Sequence, residues 1–362
     1  MHTTRPEILS VITITQTVPQ PGGTEEIRLL AESCGYRVLA DLVVRVRSGL
    51  PGSGKLAELA EIRESSGCDF FILAHDLAPS RKRTFENTVG CPVMTRTELI
   101  LEIFARRART SIARQQVELA RLEYLLPRLE GGYAHLAASQ GGSGFRGPGE
   151  TQIELDRRRI KNRISLLRRR LATVRTSRRE QRKKREQKAP LVALCGYTNA
   201  GKTTLMNRLA HAHLLAEDRL FATLDPTVRE IHNPHGRAIL LTDTVGFIRD
   251  IPHTLVEAFA STLEEITRAD LVLIIFDSAD ENADVQLAVV ESVLDDIGAS
   301  GLPRLYCANK ADKADTPLPA SSGRSPLVPV SALTGKGIPE LVWTMHSMLA
   351  QHISMDQAGS VV

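Results

Sequence analysis

Residues Leu191-Val-Ala-Leu-Cys-Gly-Tyr-Thr-Asn-Ala-Gly-Lys-Thr-Thr204 form an apolar run that leads into a glycine-bounded loop. The loop has the pattern G-x-x-x-x-G-K-[ST] between a predicted strand and a predicted helix, which is the context of a phosphate-binding P-loop. Its glycines let backbone N–H groups close around phosphate oxygens, while Lys202 would neutralise the β- and γ-phosphates and Thr203 would ligate Mg²⁺. The stretch therefore predicts a nucleotide-binding domain of the α/β class. We expect nucleotide contacts from Gly196, Tyr197, Thr198, Asn199, Ala200, Gly201, Lys202, Thr203 and Thr204.

A second motif follows a later predicted strand. Leu240-Leu-Thr-Asp-Thr-Val-Gly246 ends in D-x-x-G. Asp243 would reach Mg²⁺ through a water, and the Gly246 amide would contact the γ-phosphate. Thr223 is the expected further contact to Mg²⁺ and the γ-phosphate, with Thr227 as the alternative. The expected catalytic contacts are Lys202, Thr223 and Gly246.

Two further motifs predict which base is bound. Leu305-Tyr-Cys-Ala-Asn-Lys-Ala-Asp312 runs from a predicted strand into N-K-x-D, so Asn309, Lys310 and Asp312 are candidate base contacts. The Asp312 carboxylate can accept from the N1–H and the N2 amine of guanine, whereas adenine presents an acceptor at N1. The motif therefore selects GTP. The loop expected to support the base consists of Ser331, Ala332 and Leu333.

Hydrolysis itself has fewer candidate residues. In Ras-like switch proteins a Gln after D-x-x-G orients the attacking water, but here that position is Phe247. We expect slow intrinsic turnover that a partner accelerates. Asn199 resembles the P-loop Asn of GTPases that bind K⁺ beside the phosphates, and a role in stabilising the loop explains it equally well.

A similar pattern nearer the N-terminus is a decoy. Gly49-Leu-Pro-Gly-Ser-Gly-Lys-Leu56 matches G-x-x-x-x-G-K but ends in Leu, which has no hydroxyl for a metal. We interpret it as a turn followed by a helix start.

The composition excludes several classes of protein. The chain has 362 residues, 42% of them hydrophobic, which is enough for two or three folded domains and too much for a disordered chain. Its longest apolar run, Leu271–Phe276, is far shorter than a membrane span. The five cysteines are widely spaced, which disfavours a zinc site or a disulfide framework and is typical of a cytoplasmic protein.

Positive charge is concentrated in one segment. Residues 157–188 contain 16 Lys and Arg and two Glu, a net charge of +14, whereas residues 191–362 carry a net charge of −9. A solvated helical face is the simpler interpretation. Self-repulsion at this charge density favours a polyanion partner such as RNA.

The sequence before the P-loop predicts two regions. Strands at Ile8–Thr15, Tyr36–Val46 and Asp69–Leu73 alternate with short helices, which indicates a small α/β unit with a mostly parallel sheet. Helical periodicity follows over residues 97–126, ending at Pro127, and resumes beyond Glu150. These helices should pair as an antiparallel hairpin through apolar residues of both. The apolar residues are Ile112, Leu119, Leu122 and Leu126 on the first helix, and Ile153, Ile160, Ile164, Leu167, Leu171 and Val174 on the second.

Between the helices lies the glycine-rich stretch Gly141–Gly149. A flexible linker would explain its glycines but not Phe145 and Arg146, a stacking ring beside a guanidinium, which favour RNA contact. The candidate RNA-binding residues are Phe145, Arg146, Arg157, Arg158, Arg159, Arg168, Arg169 and Arg170.

The predicted fold is thus an α/β P-loop NTPase G domain preceded by a small α/β domain and a long antiparallel helical hairpin. The predicted boundaries are 1–96 for the N-terminal α/β subdomain, 97–188 for the hairpin with its Gly-rich loop at 131–150, 189–350 for the G domain and 351–362 for a tail.

Longer strings resemble one family, the HflX translation-associated GTPases. The strings are Thr95–Ala108, Gln116–Ala120, Gly141–Ile160, Gly196–Lys202, Phe221–Pro226 and Asp243–Ile248. The resemblance implies a cytoplasmic protein that binds GTP or GDP and the large ribosomal subunit, with the hairpin entering the intersubunit side. It further implies that the GTP-bound form splits or rescues stalled ribosomes, which stimulate hydrolysis.

Two alternatives remain. The chain could be a GTPase of large-subunit assembly, or an rRNA-binding scaffold with little turnover. We expect a monomer.

Overall fold

The computed structural model describes residues 8–16, 23–47, 50–139, 148–186, 189–210, 220–221, 227–231, 238–249, 263, 265–313 and 326–359. The chain divides into two compact units, Met1–Arg106 with Arg114–Leu171, and Arg107–Ala113 with Ala172–Val362. The boundaries expected from the sequence at 96, 188 and 350 stay predictions.

The N-terminal part alternates strands and helices, as the sequence predicts. Its elements are β1 (Ser10–Gln16), α1 (Gly23–Ser33), β2 (Arg37–Val44), β3 (Val46–Arg47), β4 (Leu50–Pro51), α2 (Ser53–Ser66), β5 (Phe70–Leu73), α3 (Pro79–Val89) and β6 (Val93–Met94). Four strands form a parallel sheet in the order β2-β1-β5-β6, and β3 pairs with β4 antiparallel. The three predicted strands are confirmed to within two residues at each end, whereas β3, β4 and β6 were not predicted from the sequence.

The helix start expected in the decoy motif is confirmed, whereas Gly49, the first residue of the motif, lies outside the described residues. Strand β4 ends at Pro51, Gly52 precedes the helix, and α2 begins at Ser53. Leu56 is buried in the core that α2 forms with the sheet, so the position where a P-loop carries its hydroxyl packs as an apolar side chain.

Three helices follow: α4 (Arg96–Arg107), α5 (Ser111–Ser139) and α6 (Pro148–Glu186). The prediction of a single helix over 97–126 is wrong, because one helix ends at Arg107 and the next begins at Ser111. The Thr110 hydroxyl accepts from the Ala113 amide at 3.1 Å, which supplies a helix N-cap.

Pro127 does not end its helix, contrary to the sequence prediction, and α5 continues to Ser139. The Arg128 guanidinium lies 3.4 Å from the centre of the Tyr124 ring and donates to the Tyr124 carbonyl at 3.2 Å. These contacts hold the chain on both sides of the proline. The Gly-rich loop is therefore shorter than the predicted 131–150, since α5 extends to 139 and α6 starts at 148.

Apolar residues of α5 and α6 pack together. The cluster consists of Leu119, Ile164 and Leu167, with Leu122, Leu126, Ile160 and Leu171 around them. All seven were predicted on the facing stripes, which confirms the interpretation of the apolar repeat. The antiparallel hairpin itself stays a prediction.

The C-terminal part contains a six-stranded sheet. Its elements are β7 (Leu191–Gly196), α7 (Lys202–Leu209), β8 (Val228–Ile231), β9 (Ile239–Asp243), a 3-10 turn (Ile266–Arg268), β10 (Leu271–Asp277), α8 (Ala283–Asp296), β11 (Arg304–Asn309), β12 (Leu327–Pro329) and α9 (Ile338–Gly359). The strand order is β12-β11-β10-β7-β9-β8, with β8 antiparallel to β9 and the other pairs parallel. Central strands are apolar throughout because helices cover both faces of a parallel sheet. The motif loops follow β7, β9 and β11, whose carboxyl ends share one edge of the sheet.

Four further features concern the described part of the chain. Among its helices, none combines the length and the hydrophobicity of a membrane span, and no group of three or more potential metal ligands occurs there. All five cysteines are buried, and no disulfide joins any two of them. Trp343 on α9 is 68% exposed, whereas Leu341 and Met345 on the same helix are buried in the core.

Candidate nucleotide-binding site

The P-loop connects β7 to α7, and its backbone conformation restricts which residues can occupy two of its positions. Gly201 has φ = +88° and Asn199 has φ = +64°, both in the left-handed region. A Cβ on Gly201 would overlap the side-chain amide of Asn309. The second motif glycine is therefore required both for its conformation and for the close approach of the base motif.

Lys202 is buried at the start of α7. Its ammonium donates to the carbonyl oxygens of Gly196 at 3.1 Å and Tyr197 at 2.8 Å. Burial lowers the pKa of Lys202 from 10.5 to about 8, and the nearby Asp243 carboxylate opposes that shift. A phosphate placed beside this ammonium would favour its charged form.

The side chains of Thr203 and Asp243 are hydrogen-bonded to each other next to the P-loop. The Thr203 hydroxyl donates to the Asp243 carboxylate at 2.8 Å, and Asp243 is completely buried. A hydroxyl beside a carboxylate is the hard oxygen donor set that Mg²⁺ prefers, so these residues fit the predicted metal. Thr223 lies outside the described residues. Its alternative, Thr227, donates its hydroxyl to the sulfur of Met206 at 3.8 Å.

The segment after β9 is joined to the P-loop through its backbone. Thr198 donates its amide to the Phe247 carbonyl at 2.8 Å, and Phe247 donates its amide to the Gly196 carbonyl at 3.1 Å. A Cβ on Gly246 would lie 3.0 Å from the Lys202 ammonium. The Phe247 side chain is only 2% exposed, so it cannot orient a water as Gln does.

Asn309 connects the base motif to the phosphate loop. Its side-chain amide donates to the Ala200 carbonyl at 2.9 Å, and its side-chain oxygen accepts from the Ala332 amide at 3.1 Å. Lys310, at φ = +61°, pairs with Asp277 at 2.7 Å. The three loops that follow β7, β11 and β12 are therefore held together by one buried amide.

Asp312 is exposed, and a hydrogen bond from the buried Ser331 hydroxyl holds the pKa of its carboxyl below the ordinary value. The carboxylate is thus ionised and oriented as a hydrogen-bond acceptor. Leu333, in the same loop as Ser331, is 69% exposed.

Arg208, in the last turn of α7, was not predicted from the sequence. Its Nε donates to the Ala332 carbonyl at 3.0 Å, and a terminal nitrogen donates to the Leu333 carbonyl. No motif marks this arginine; its spacing of six residues from Lys202, which places it on a later turn of the same helix, is the one available signal.

The structure brings most predicted site residues into one hydrogen-bonded network. The predicted site residues that take part in these hydrogen bonds are Gly196, Tyr197, Thr198, Ala200, Lys202, Thr203, Asp243, Asn309, Asp312, Ser331, Ala332 and Leu333. Thr204 lies in α7. Phe145 and Arg146, like Thr223, lie outside the described residues.

A six-stranded sheet with these loops at its carboxyl edge defines a P-loop GTPase domain. Comparisons with known proteins agree. The family model described as "50S ribosome-binding GTPase" matches residues 191–310, "GTP-binding GTPase Middle Region" matches 107–185, and "GTP-binding GTPase N-terminal" matches 23–105.

Curated relatives give a narrower assignment. The GTPase HflX of Caldanaerobacter subterraneus subsp. tengcongensis is 43% identical over 323 residues, covering 88% of this chain and 74% of the relative. The GTPase HflX of Escherichia coli K12 is 41% identical over 339 residues, covering 91% and 80%. The solved complex of SsGBP with GDP is 25% identical, covers 94% of this chain and 99% of that one, and has a TM-score of 0.50. The chain belongs to the HflX family of GTPases, and it is a GTP hydrolase.

Proposed function

We propose that this GTPase binds the large ribosomal subunit and uses GTP to split or rescue stalled or inactive ribosomes. The observation that carries the proposal is the charge asymmetry, +14 over residues 157–188 against −9 over residues 191–362. One basic element on an otherwise acidic protein directs a polyanion to that element, and ribosomal RNA is the polyanion of the ribosome. The match to a model named for 50S ribosome binding supports the same partner.

The contacts of α6 divide its arginines into two groups. Arg163 donates two hydrogen bonds to Glu118 on α5, at 2.6 and 2.8 Å, and Arg168 pairs with Glu123 at 2.8 Å. These two arginines connect the helices. RNA contact is expected from the other exposed arginines, of which Arg159 also pairs with Asp156 on the same helix at 3.2 Å. They are Arg157, Arg158, Arg159, Arg169 and Arg170.

The buried Phe247 supports a hydrolysis step that depends on the ribosome. The position that carries a water-orienting Gln in Ras-like proteins holds an apolar side chain turned into the core. We therefore propose slow hydrolysis by the isolated chain, and faster hydrolysis when large-subunit binding supplies or rearranges the missing group.

Individual residues take the roles that the sequence motifs predict. The Lys202 ammonium binds the β- and γ-phosphate oxygens, and the Gly246 amide donates to the γ-phosphate. Thr203, Thr223 and, through a water, Asp243 hold Mg²⁺, which when bound neutralises charge on the transferring phosphoryl group. A K⁺ contact by Asn199 stays a prediction from the sequence.

Sucrose-gradient co-sedimentation tests the proposal. The chain is mixed with 70S, 50S and 30S particles in the presence of a non-hydrolysable GTP analogue, GDP or no nucleotide. We expect binding to 50S and conversion of 70S into subunits with the analogue, and neither effect with the Lys202→Ala variant. Equal sedimentation in all three nucleotide states would contradict the proposal.

The same assay separates the alternatives. Preference for immature large subunits over mature 50S would indicate an assembly GTPase. Stoichiometric 50S binding without multiple-turnover hydrolysis would indicate an RNA-binding scaffold.

A further inference from the structure

The backbone ladder between β7 and β9 continues beyond both strands. Leu194 pairs with Asp243 at the end of the regular ladder, and Tyr197 pairs with Phe247 in a parallel bridge further along. From the first pair to the second, the P-loop side advances by three residues and the D-x-x-G side by four. The D-x-x-G segment therefore contains one extra residue. Gly246 lies within this irregular stretch.

The Tyr197 side chain extends the same connection. Its ring is buried, and its hydroxyl oxygen accepts from the main-chain amide of Arg249 at 3.1 Å. Tyr197 occupies a variable position of the G-x-x-x-x-G-K pattern, so phosphate binding by the loop does not explain the phenol. A phenylalanine would fill the same space and could not accept this hydrogen bond.

Tyr197 also contacts the catalytic lysine. Its carbonyl oxygen accepts from the Lys202 ammonium at 2.8 Å. The same ammonium lies beside Gly246, where an added Cβ would be 3.0 Å from Lys202 Nζ and 2.9 Å from Thr198 Cγ2. One residue thus holds the ammonium through its backbone and the segment after Gly246 through its side chain.

We propose that Tyr197 is a positioning residue for GTP hydrolysis: its hydroxyl fixes residues 246–249 so that the Gly246 amide meets the γ-phosphate beside Lys202. This inference rests on the proposed assignment of Gly246 and Lys202 to the γ-phosphate. GDP has no γ-phosphate, so the contribution of Tyr197 is specific to the triphosphate.

The Tyr197→Phe variant tests the proposal by comparing two nucleotides. Equilibrium binding of fluorescent GDP and of a fluorescent non-hydrolysable GTP analogue is measured with the full chain and without ribosomes. Loss of the hydrogen bond to the Arg249 amide should weaken binding of the analogue about fivefold and leave GDP affinity unchanged. Single-turnover GTP hydrolysis should slow by a similar factor.

Tyr306→Phe is the matched control. The Tyr306 hydroxyl donates to Glu291 on α8 at 2.8 Å, so this variant also removes one phenol hydroxyl from a partly buried hydrogen bond. This variant should bind both nucleotides like the parent chain.

Equal weakening of GDP and analogue by Tyr197→Phe would indicate a general role in loop packing and overturn the proposal. Unchanged binding of both would do so as well. Lys202→Ala separates this result from an error in the site assignment, since that variant should lose affinity for both nucleotides. The absence of ribosomes makes the outcome independent of the ribosomal proposal.

Discussion

Arg208 donates to the main-chain oxygen of Leu333, 125 residues later in the chain. Its Nε makes a second hydrogen bond to the adjacent Ala332 carbonyl at 3.0 Å. The helix that begins with Lys202 of the P-loop therefore ends by supporting the loop beside the base motif. In our assignment, one helix thus connects the phosphate site with the base site.

Arg208→Ala should accelerate GDP dissociation. The variant removes two hydrogen bonds that hold the loop at Ala332, and we expect a roughly fivefold faster dissociation rate. Stopped-flow release of a fluorescent GDP measures it. Arg304→Ala is the control, because Arg304 pairs with Asp295 at 2.6 Å on a different helix. Equal rates for the parent chain and Arg208→Ala would remove the loop-supporting role.

Nucleotide affinity should fall as pH rises through 8. Burial lowers the pKa of Lys202 to about 8 in the nucleotide-free chain, and bound phosphate should raise it again. At a pH above that pKa, nucleotide binding is therefore coupled to protonation of Lys202. At a pH well below it, Lys202 is already protonated and no proton is taken up. The dissociation constant for GDP should increase about fourfold between about pH 7 and about pH 8.5. Calorimetry in two buffers of different ionisation enthalpy measures the uptake, and its absence at the higher pH would contradict this prediction.

Asp312→Asn should change the preferred base. The carboxylate accepts two hydrogen bonds from guanine in our assignment, and an amide can instead donate to the 2-oxygen of xanthine. GTP affinity should fall roughly a hundredfold, as expected for two hydrogen bonds to a charged group, while xanthosine triphosphate binds better than to the parent chain. Competition binding with both nucleotides measures the ratio. Unaltered selectivity would show that N-K-x-D is misassigned.

The salt dependence of large-subunit binding should distinguish the two groups of arginines on α6. Neutralising Arg158 and Arg170 together removes two exposed cations, and each RNA phosphate that is no longer neutralised lowers the slope of log K against log salt by roughly 0.9. We expect a slope reduced by roughly two in filter-binding or sedimentation titrations with 50S particles.

Arg163→Ala provides the matched comparison. Its guanidinium already binds both carboxylate oxygens of Glu118, so its loss should lower the thermal stability of the chain slightly and leave the salt slope unchanged. If Arg163→Ala reduced the slope as much as the double variant, the division between connecting and RNA-binding arginines would be wrong.

Motifs whose chemistry depends on backbone geometry could be predicted from the sequence. Gly201 and Asn309 lie where the motif spacing predicts them. A P-loop between a strand and a helix can adopt few backbone conformations, so its sequence pattern determines its geometry. The α5–α6 cluster was predictable for a similar reason, since apolar residues at a regular repeat must share a face. Both inferences use local rules.

Specific side-chain contacts decided the features that the sequence patterns did not reveal. Pro127 satisfies the usual rule for a helix end, yet Arg128 and Tyr124 hold the helix together across it. Arg208 and the Tyr197 hydroxyl act on segments more than fifty residues away along the chain, and no local pattern marks such pairings. Their roles follow from tertiary packing alone.

The chain contains a single tryptophan, and it lies on the solvent side of α9. Its intrinsic fluorescence therefore originates from one known point on the surface, with no overlapping signal from the core. Iodide should quench the free chain efficiently, and loss of that quenching upon mixing with a large complex would reveal coverage of this helix without any attached dye. The fluorescence of Trp343 thus reports whether the surface of α9 around it becomes covered in a complex.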